Sequence, residues 1–184
     1  MGVPITEIRA GNAFELNGKL YRAIEYNHIK WAQQARVRLK MKDLRTGAIT
    51  ENTFNVDDKV EKVHIEYRPM QYLYSDGDSF HFMDQENFNQ IVIGRKLIGD
   101  SANYLKEGFV VNIAFLEEEA LEVNLPAAVE LKVEETSPGF KGDTVSGGKP
   151  ALLETGLTIS VPFFINPGDV VKVDTRDAKY LGRV

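Results

Sequence analysis

No cysteine occurs in the 184 residues. That absence removes disulfides, thiolate nucleophiles and zinc–thiolate sites together, and it fits a reducing, cytoplasmic location. Histidine is nearly as scarce: His28, His64 and His81 stand far apart with no ligand-pair spacing, so no metal site is expected. Apolar runs are only strand-sized, as in Val161-Pro162-Phe163-Phe164-Ile165, far short of the ~20 residues of a membrane helix. The start, Met1-Gly2-Val3-Pro4-Ile5-Thr6, has neither the basic opening nor the apolar core of a signal peptide, and no polybasic patch supports its chance likeness to a lipidation motif. P-loop, Gly-x-Ser-x-Gly, His-Glu-x-x-His and dinucleotide fingerprints are also missing. Three consecutive carboxylates, Glu117-Glu118-Glu119, read as a hairpin turn and cannot all converge on one ion. The expectation is a protein that is not an enzyme, holds no cofactor and has no membrane partner.

What is present is ordinary globular material, 43% hydrophobic and 27% charged, long enough for two or three small domains. The net charge of −5 hides an uneven distribution: +3 over residues 1–64, −7 over 65–126 and −1 over 127–184. A basic first third beside an acidic middle suits a protein that touches phosphate at chosen places and is repelled from nucleic acid elsewhere.

Period two dominates the chain. Strands are expected over 19–26, 36–44, 63–67, 71–74, 80–84, 110–115, 121–125, 129–135, 157–165 and 170–175. Asn17-Gly18, Thr46-Gly47, Asp76-Gly77, Pro138-Gly139 and Pro167-Gly168 mark turns between them. Residues 93–102 and 103–108 each have room for a helical turn or two. Many short strands at this spacing imply an all-β protein of small barrels. Boundaries placed near His64-Ile65 and at Pro126-Ala127-Ala128 give domains 1–64, 65–126 and 127–184, and any repeat between the second and third is architectural.

Two stretches carry the candidate chemistry. Lys141-Gly142-Asp143-Thr144-Val145-Ser146-Gly147-Gly148-Lys149-Pro150 has glycines for close backbone approach, hydroxyl donors, one carboxylate and a lysine at each end suited to phosphate. Taken alone, it is also what a common hairpin loop looks like. Arg36, Arg38, Lys40 and Lys42 alternate with Val37, Leu39 and Met41, so a strand here presents four cations on one face, about 7 Å apart at roughly 3.4 Å per residue. That spacing suits an RNA backbone and equally a solvated barrel face.

After the loop come Lys149-Pro150-Ala151, Glu154-Thr155-Gly156, Val161-Pro162-Phe163-Phe164-Ile165, Pro167-Gly168-Asp169, Val173-Asp174-Thr175-Arg176 and Tyr180-Leu181-Gly182-Arg183. With Leu44-Arg45-Thr46-Gly47-Ala48, Thr53-Phe54, Met70-Gln71-Tyr72-Leu73-Tyr74 and Phe82-Met83-Asp84, the chain resembles the bacterial elongation factor P family over nearly its whole length. The resemblance implies an SH3-like, KOW-like barrel followed by two OB-fold barrels in an elongated, tRNA-like shape. It implies a monomer that binds the ribosome between the peptidyl-tRNA and exit sites, touches peptidyl-tRNA, ribosomal RNA and messenger RNA, and promotes peptide-bond formation at consecutive prolines. The family's codon contact would fall on Gly142, Asp143 and Thr144, and its C-terminal tRNA or ribosome contacts on Tyr180 and Arg183. The tRNA-facing surface would comprise Lys30, Trp31, Ala32, Gln33, Arg36, Arg38, Lys40 and Lys42.

One segment departs from the family. His28-Ile29-Lys30-Trp31-Ala32-Gln33-Gln34-Ala35-Arg36 is one residue short and free of glycine, and alignment from either side puts Gln33 or Ala32 where the family carries a modifiable lysine or arginine. Neither has an amine or guanidinium. Trp31 is either a stacking platform for a terminal base or an indole folded back on the barrel. The alternatives are a divergent elongation factor P paralogue, a general single-stranded RNA-binding OB-fold protein, or an enzyme using the acidic middle domain, which nothing in the sequence recommends.

Overall fold

A computed structural model describes residues 2–31, 34–138 and 147–184, with backbone only at Trp31 and Gln34. It is built from three sheets. The first holds β1 (Val3–Pro4), β2 (Ala13–Leu16), β3 (Lys19–Trp31), β4 (Gln34–Asp43), β5 (Ile49–Asn55) and β6 (Lys59–Val63), in the order β1-β6-β2-β3-β4-β5. The second holds β7 (Glu66–Asp76), β8 (Ser79–Asp84), β9 (Gln90–Gly94), β10 (Val110–Leu116) and β11 (Glu119–Asn124), ordered β11-β10-β7-β8-β9. The third holds β12 (Ala128–Thr136), β13 (Lys149–Leu153), β14 (Thr158–Val161), β15 (Val170–Asp174) and β16 (Tyr180–Arg183), ordered β14-β13-β12-β15-β16. In both five-stranded sheets the first strand is central, with its second and third strands on one side and its fourth and fifth on the other. The repeat expected between the second and third units is therefore present in strand order.

Alternation sets the faces. Val37, Leu39 and Met41 are fully buried while Arg36 before them and Arg38 among them are exposed, and Val129, Leu131 and Val133 repeat the pattern in β12. Asn17 and Gly18, at φ 52° and 73°, close the β2–β3 hairpin with the paired positive φ that matches strand twist. A second device recurs once in each sheet. Asp43, Asp84 and Asp174 end β4, β8 and β15 as buried carboxylates, and each Oδ1 accepts from the backbone N–H two residues on. Each aspartate N–H donates to the carbonyl five residues ahead, at Ala48, Asn89 and Lys179. In all three turns the fourth residue on has positive φ: Gly47 at 76°, Phe88 at 62° and Ala178 at 56°.

Several expected strands shift. The stretch 157–165 pairs only over Thr158–Val161, because Pro162 has no N–H for a ladder; Ile165 is nevertheless fully buried, held from a turn. The expected strand 63–67 is split between β6 and β7. β1, β2, β5, β6, β9, β13 and β16 were not legible as strands. β5 shows why: its residues ITENTFN are exposed except Phe54, so no alternation marks it. The helical content expected over 93–102 is one α-turn, α1 (Arg95–Ile98), followed by a 3-10 stretch to Tyr104.

The described residues form two compact units, Met1–Tyr67 with Ala114–Glu122, and Arg68–Ile113 with Val123–Val184. In the first, Leu121 packs with Ala13, Leu20 and Leu44 and is flanked by Leu116, Val63 and Ile65. In the second, Tyr104 joins the core of Leu131, Leu153, Ile165 and Val171, with Phe109 and Leu125 against it. No described helix is long and apolar enough to cross a membrane.

Candidate nucleic-acid interface

Residues 28–31 and 34–36 are strand, not irregular loop. β3 and β4 stay paired through Ile29↔Arg36, Lys30↔Ala35 and Trp31↔Gln34, leaving only residues 32 and 33 between the strands. Ala32 and Gln33 lie outside the described residues. The ribbon continues because no glycine or proline interrupts it. Register also separates two expected neighbours: Lys30 pairs with Ala35 and alternates with Ile29 and Arg36, so this exposed lysine sits on the face opposite the four cations.

Those cations share one face, but their environments differ. Lys40 Nζ donates to Glu25 Oε1 at 3.1 Å, directly across the β3–β4 pair. Arg38 Nε lies 3.5 Å from Glu51 Oε1 on β5. Lys42 Nζ donates to Glu122 Oε1 at 2.5 Å, and Arg22 Nη1 to Glu122 Oε2 at 2.7 Å. Burial pushes the Glu122 carboxyl up, but hydrogen bonds and charge from Lys42 and Arg22 outweigh it and hold the group below its ordinary value. Arg22 Nη2 is buried with no hydrogen-bond partner among the described residues, while the Tyr67 ring lies 5.8 Å from its guanidinium carbon. Arg36, by contrast, is exposed and faces Ile29 and Asn55 across its two neighbouring strands. The cation row is thus graded, from Lys42 bound to a half-buried carboxylate to Arg36 at the tip end with uncharged cross-strand neighbours.

Opposite charges on adjacent strands were present in the sequence as Glu25 and Glu51. Their effect could not be read until the register was known. Glu122, separated from Lys42 by 80 residues, left no local signal at all.

In the second unit, Tyr180 and Arg183 both lie on β16. Arg183 is exposed, its Nη1 3.9 Å from Asp169 Oδ2 and its guanidinium carbon 5.8 Å from the ring centroid of the exposed Phe164. Tyr180 lines a cleft of about 890 Å3 together with Phe163, Phe164, Ala178 and the Gly147-Gly148 pair. Gly142, Asp143 and Thr144 lie outside the described residues. Lys149 is not the phosphate ligand that its place at the loop end suggests: it is 4% exposed, and its Nζ donates to the Ser137 carbonyl at 2.7 Å. Glu154 is likewise occupied within the fold, accepting from the Lys132 N–H at 2.8 Å and from Lys106 Nζ at 2.9 Å. Among the described residues no group of three or more histidines and carboxylates is arranged to hold a metal ion.

Three family profiles match the chain in succession: the elongation factor P KOW-like domain over residues 4–60, the elongation factor P OB domain over 65–123 and the elongation factor P C-terminal domain over 129–183. Elongation factor P of Pelotomaculum thermopropionicum is 45% identical over 184 residues, covering 99% of this chain and 100% of the relative. That of Dictyoglomus thermophilum is 47% identical over 183 residues, covering 98% and 99%. Among solved structures, eukaryotic translation initiation factor 5A from Methanococcus jannaschii aligns with a TM-score of 0.52 at 17% identity, covering 67% of this chain and 95% of that one. That likeness concerns the fold alone, and with the profiles it gives the all-β architecture as a KOW-like barrel and OB-type barrels.

Proposed function

The chain belongs to the elongation factor P family, and from that premise we propose that this translation elongation factor binds the ribosome between the peptidyl-tRNA and exit sites and relieves stalling at consecutive prolines. The observation that carries the reading is the succession of three family profiles over 4–60, 65–123 and 129–183, matched by relatives aligned end to end.

The mechanism is positioning. Peptide-bond formation is slowed when the donor ester and acceptor amine are misaligned, and holding the peptidyl-tRNA in a reactive pose offsets that entropic barrier with no protein group entering the bond chemistry. On this reading the ribbon of β3 and β4 faces the tRNA. Arg36 and Arg38 supply most of the phosphate attraction, because Lys40 and Lys42 donate hydrogen bonds to Glu25 and Glu122, whereas Arg38 has a longer, 3.5 Å approach to Glu51 and Arg36 faces uncharged neighbours. Gly142, Asp143 and Thr144 contact the exit-site codon, and Tyr180 and Arg183 contact tRNA or ribosome from the third sheet. Lys30, Trp31, Ala32 and Gln33 complete the tRNA-facing tip without a modified cation.

The test is reconstituted translation of a message encoding consecutive prolines beside a matched message without them. Addition of the protein is expected to raise full-length product from the first and leave the second unchanged. No change on the proline message refutes the reading.

A further inference from the structure

We propose that Glu25 and Glu51 are specificity-determining residues that confine RNA to the tip half of the β4 cation row; this rests on the reading of that row as the tRNA-facing surface. Ladder register sets the two carboxylates on either side of one lysine: Lys40 faces Glu25 on β3 and Glu51 on β5. Lys40 Nζ donates to Glu25 Oε1 at 3.1 Å, and Glu51 Oε1 lies 3.5 Å from Arg38 Nε. Farther from the tip, Lys42 donates to Glu122. Toward the tip the neighbours change. Arg38 faces Asn27 and Thr53, and Arg36 faces Ile29 and Asn55, so neither arginine has a carboxylate as its ladder partner. The row spans about 20 Å at roughly 3.4 Å per residue. Its tip half is positive among uncharged polar groups, and its other half is offset by carboxylates.

Folding does not account for these two carboxylates. The side chains of Glu25 and Glu51 are 55% and 54% exposed, and those of their partners Lys40 and Arg38 are 41% and 46% exposed. Ion pairs this open to water contribute little to stability. Their charge acts outward instead. A phosphate laid over Lys40 meets a negative charge on both sides, well inside the roughly 8 Å screening length of physiological salt. An RNA strand of arbitrary sequence lying along the whole row has to cross that position. A tRNA that approaches from the tip does not: it meets Arg36 and Arg38 together with the amide and hydroxyl groups of Asn27, Thr53 and Asn55. The glutamates therefore weaken binding of bulk RNA more than binding of the tip-docked partner, and selectivity is that difference.

The experiment measures binding of the whole chain to two probes, polyuridylate and ribosomes carrying peptidyl-tRNA, across a salt series, with thermal unfolding recorded for each variant. Glu25→Gln combined with Glu51→Gln keeps the shape and removes both charges. This variant is expected to bind polyuridylate about tenfold more tightly at physiological salt, with a slope of log K against log salt steeper by roughly 1 as Lys40 gains a phosphate. Its ribosome affinity should rise by about threefold or less, because the tip-docked partner does not cross Lys40. A second variant, Arg36→Gln with Arg38→Gln, tests the row itself and should weaken ribosome binding. If it does, then an unchanged polyuridylate affinity of the glutamate variant, or a ribosome affinity that rises as much as that for polyuridylate, overturns the inference and leaves the row's role standing. If the arginine variant binds ribosomes as the wild type does, the tRNA-facing reading of the row falls and the inference falls with it.

Discussion

Lys42 Nζ lies 2.5 Å from Glu122 Oε1, joining the last cation of the β4 row to a carboxylate on β11. Arg22 holds the other oxygen at 2.7 Å, so one carboxylate 20% exposed serves two cations. Around them Leu121 is buried against Leu20 and Leu44, and Arg45 Nη2 meets Glu119 Oε2 at 2.9 Å. Within this unit the pairing makes Lys42 a structural residue and leaves Arg36, with uncharged cross-strand neighbours, at the other end of the row.

Glu122→Ala strands two partly buried cations and is expected to cost about 1–3 kcal/mol, below the range for fully buried pairs because water still reaches the site. Urea unfolding measures it. A loss under about 0.5 kcal/mol, the size of an ordinary surface change, would show that the network contributes nothing to folding.

The same group sets a pH dependence. Its folded value is depressed, so its stabilising contribution is fully present above the ordinary carboxylate range and is lost as pH falls through the lowered value. Thermal midpoints of the wild type should therefore drop more steeply than those of Glu122→Gln as pH falls below about 4.3. Parallel curves would remove Glu122 as the titrating group.

Neutralising Arg36 and Arg38 together should weaken ribosome affinity and reduce the slope of log K against log salt by roughly 1–2, as expected when two phosphate contacts are lost. Neutralising Lys40 and Lys42 should change that slope less, because both are held by carboxylates at hydrogen-bond distance, whereas Arg38 lies 3.5 Å from Glu51 and Arg36 faces uncharged neighbours. Equal slopes for the two pairs would contradict the graded row.

The recurring turn predicts opposite effects from glycine at equivalent positions. Gly47→Ala should destabilise by about 1 kcal/mol, since φ 76° crowds a Cβ. Phe88→Gly, at φ 62° with an exposed side chain, relieves a left-handed backbone penalty of roughly 1–2 kcal/mol, which exceeds the entropy glycine adds to the unfolded chain, and should stabilise by several tenths up to about 1 kcal/mol. Denaturant midpoints distinguish the two, and a destabilised Phe88→Gly would mean that the ring contributes more than its backbone costs.

At the tip, intact-mass measurement of protein from its own cells should show no lysine-type or rhamnosyl addition, because Ala32 and Gln33 offer no acceptor group. Lys30 is the nearest amine and lies on the face opposite Arg36. Trp31→Ala should accordingly reduce stall relief more than Lys30→Ala, by up to the roughly 1–3 kcal/mol of a base stack. A modified Lys30 or a fully active Trp31→Ala protein would reverse the assignment.

Sequence alone determined what depends on near neighbours. Alternation in Arg36 to Lys42 specified one buried and one exposed face, Asn17-Gly18 specified a hairpin, and the absence of cysteine and ligand spacing narrowed the chemistry, because each is decided within a few residues by backbone geometry or side-chain type. Motifs such as Leu44-Arg45-Thr46-Gly47 and Tyr180-Leu181-Gly182-Arg183 carried the family. Polar and edge strands such as β5 escaped, since a strand exposed on both faces has no period to detect. Tertiary structure alone decided how each cation is engaged. Lys42 and Arg36 are equivalent in pattern and differ because Glu122 comes from 80 residues away to one while the uncharged Ile29 and Asn55 face the other across the ladder. It also decided that Lys149 faces inward, toward Ser137, because a side chain's partner is set by the register and packing of distant strands, which no local pattern records.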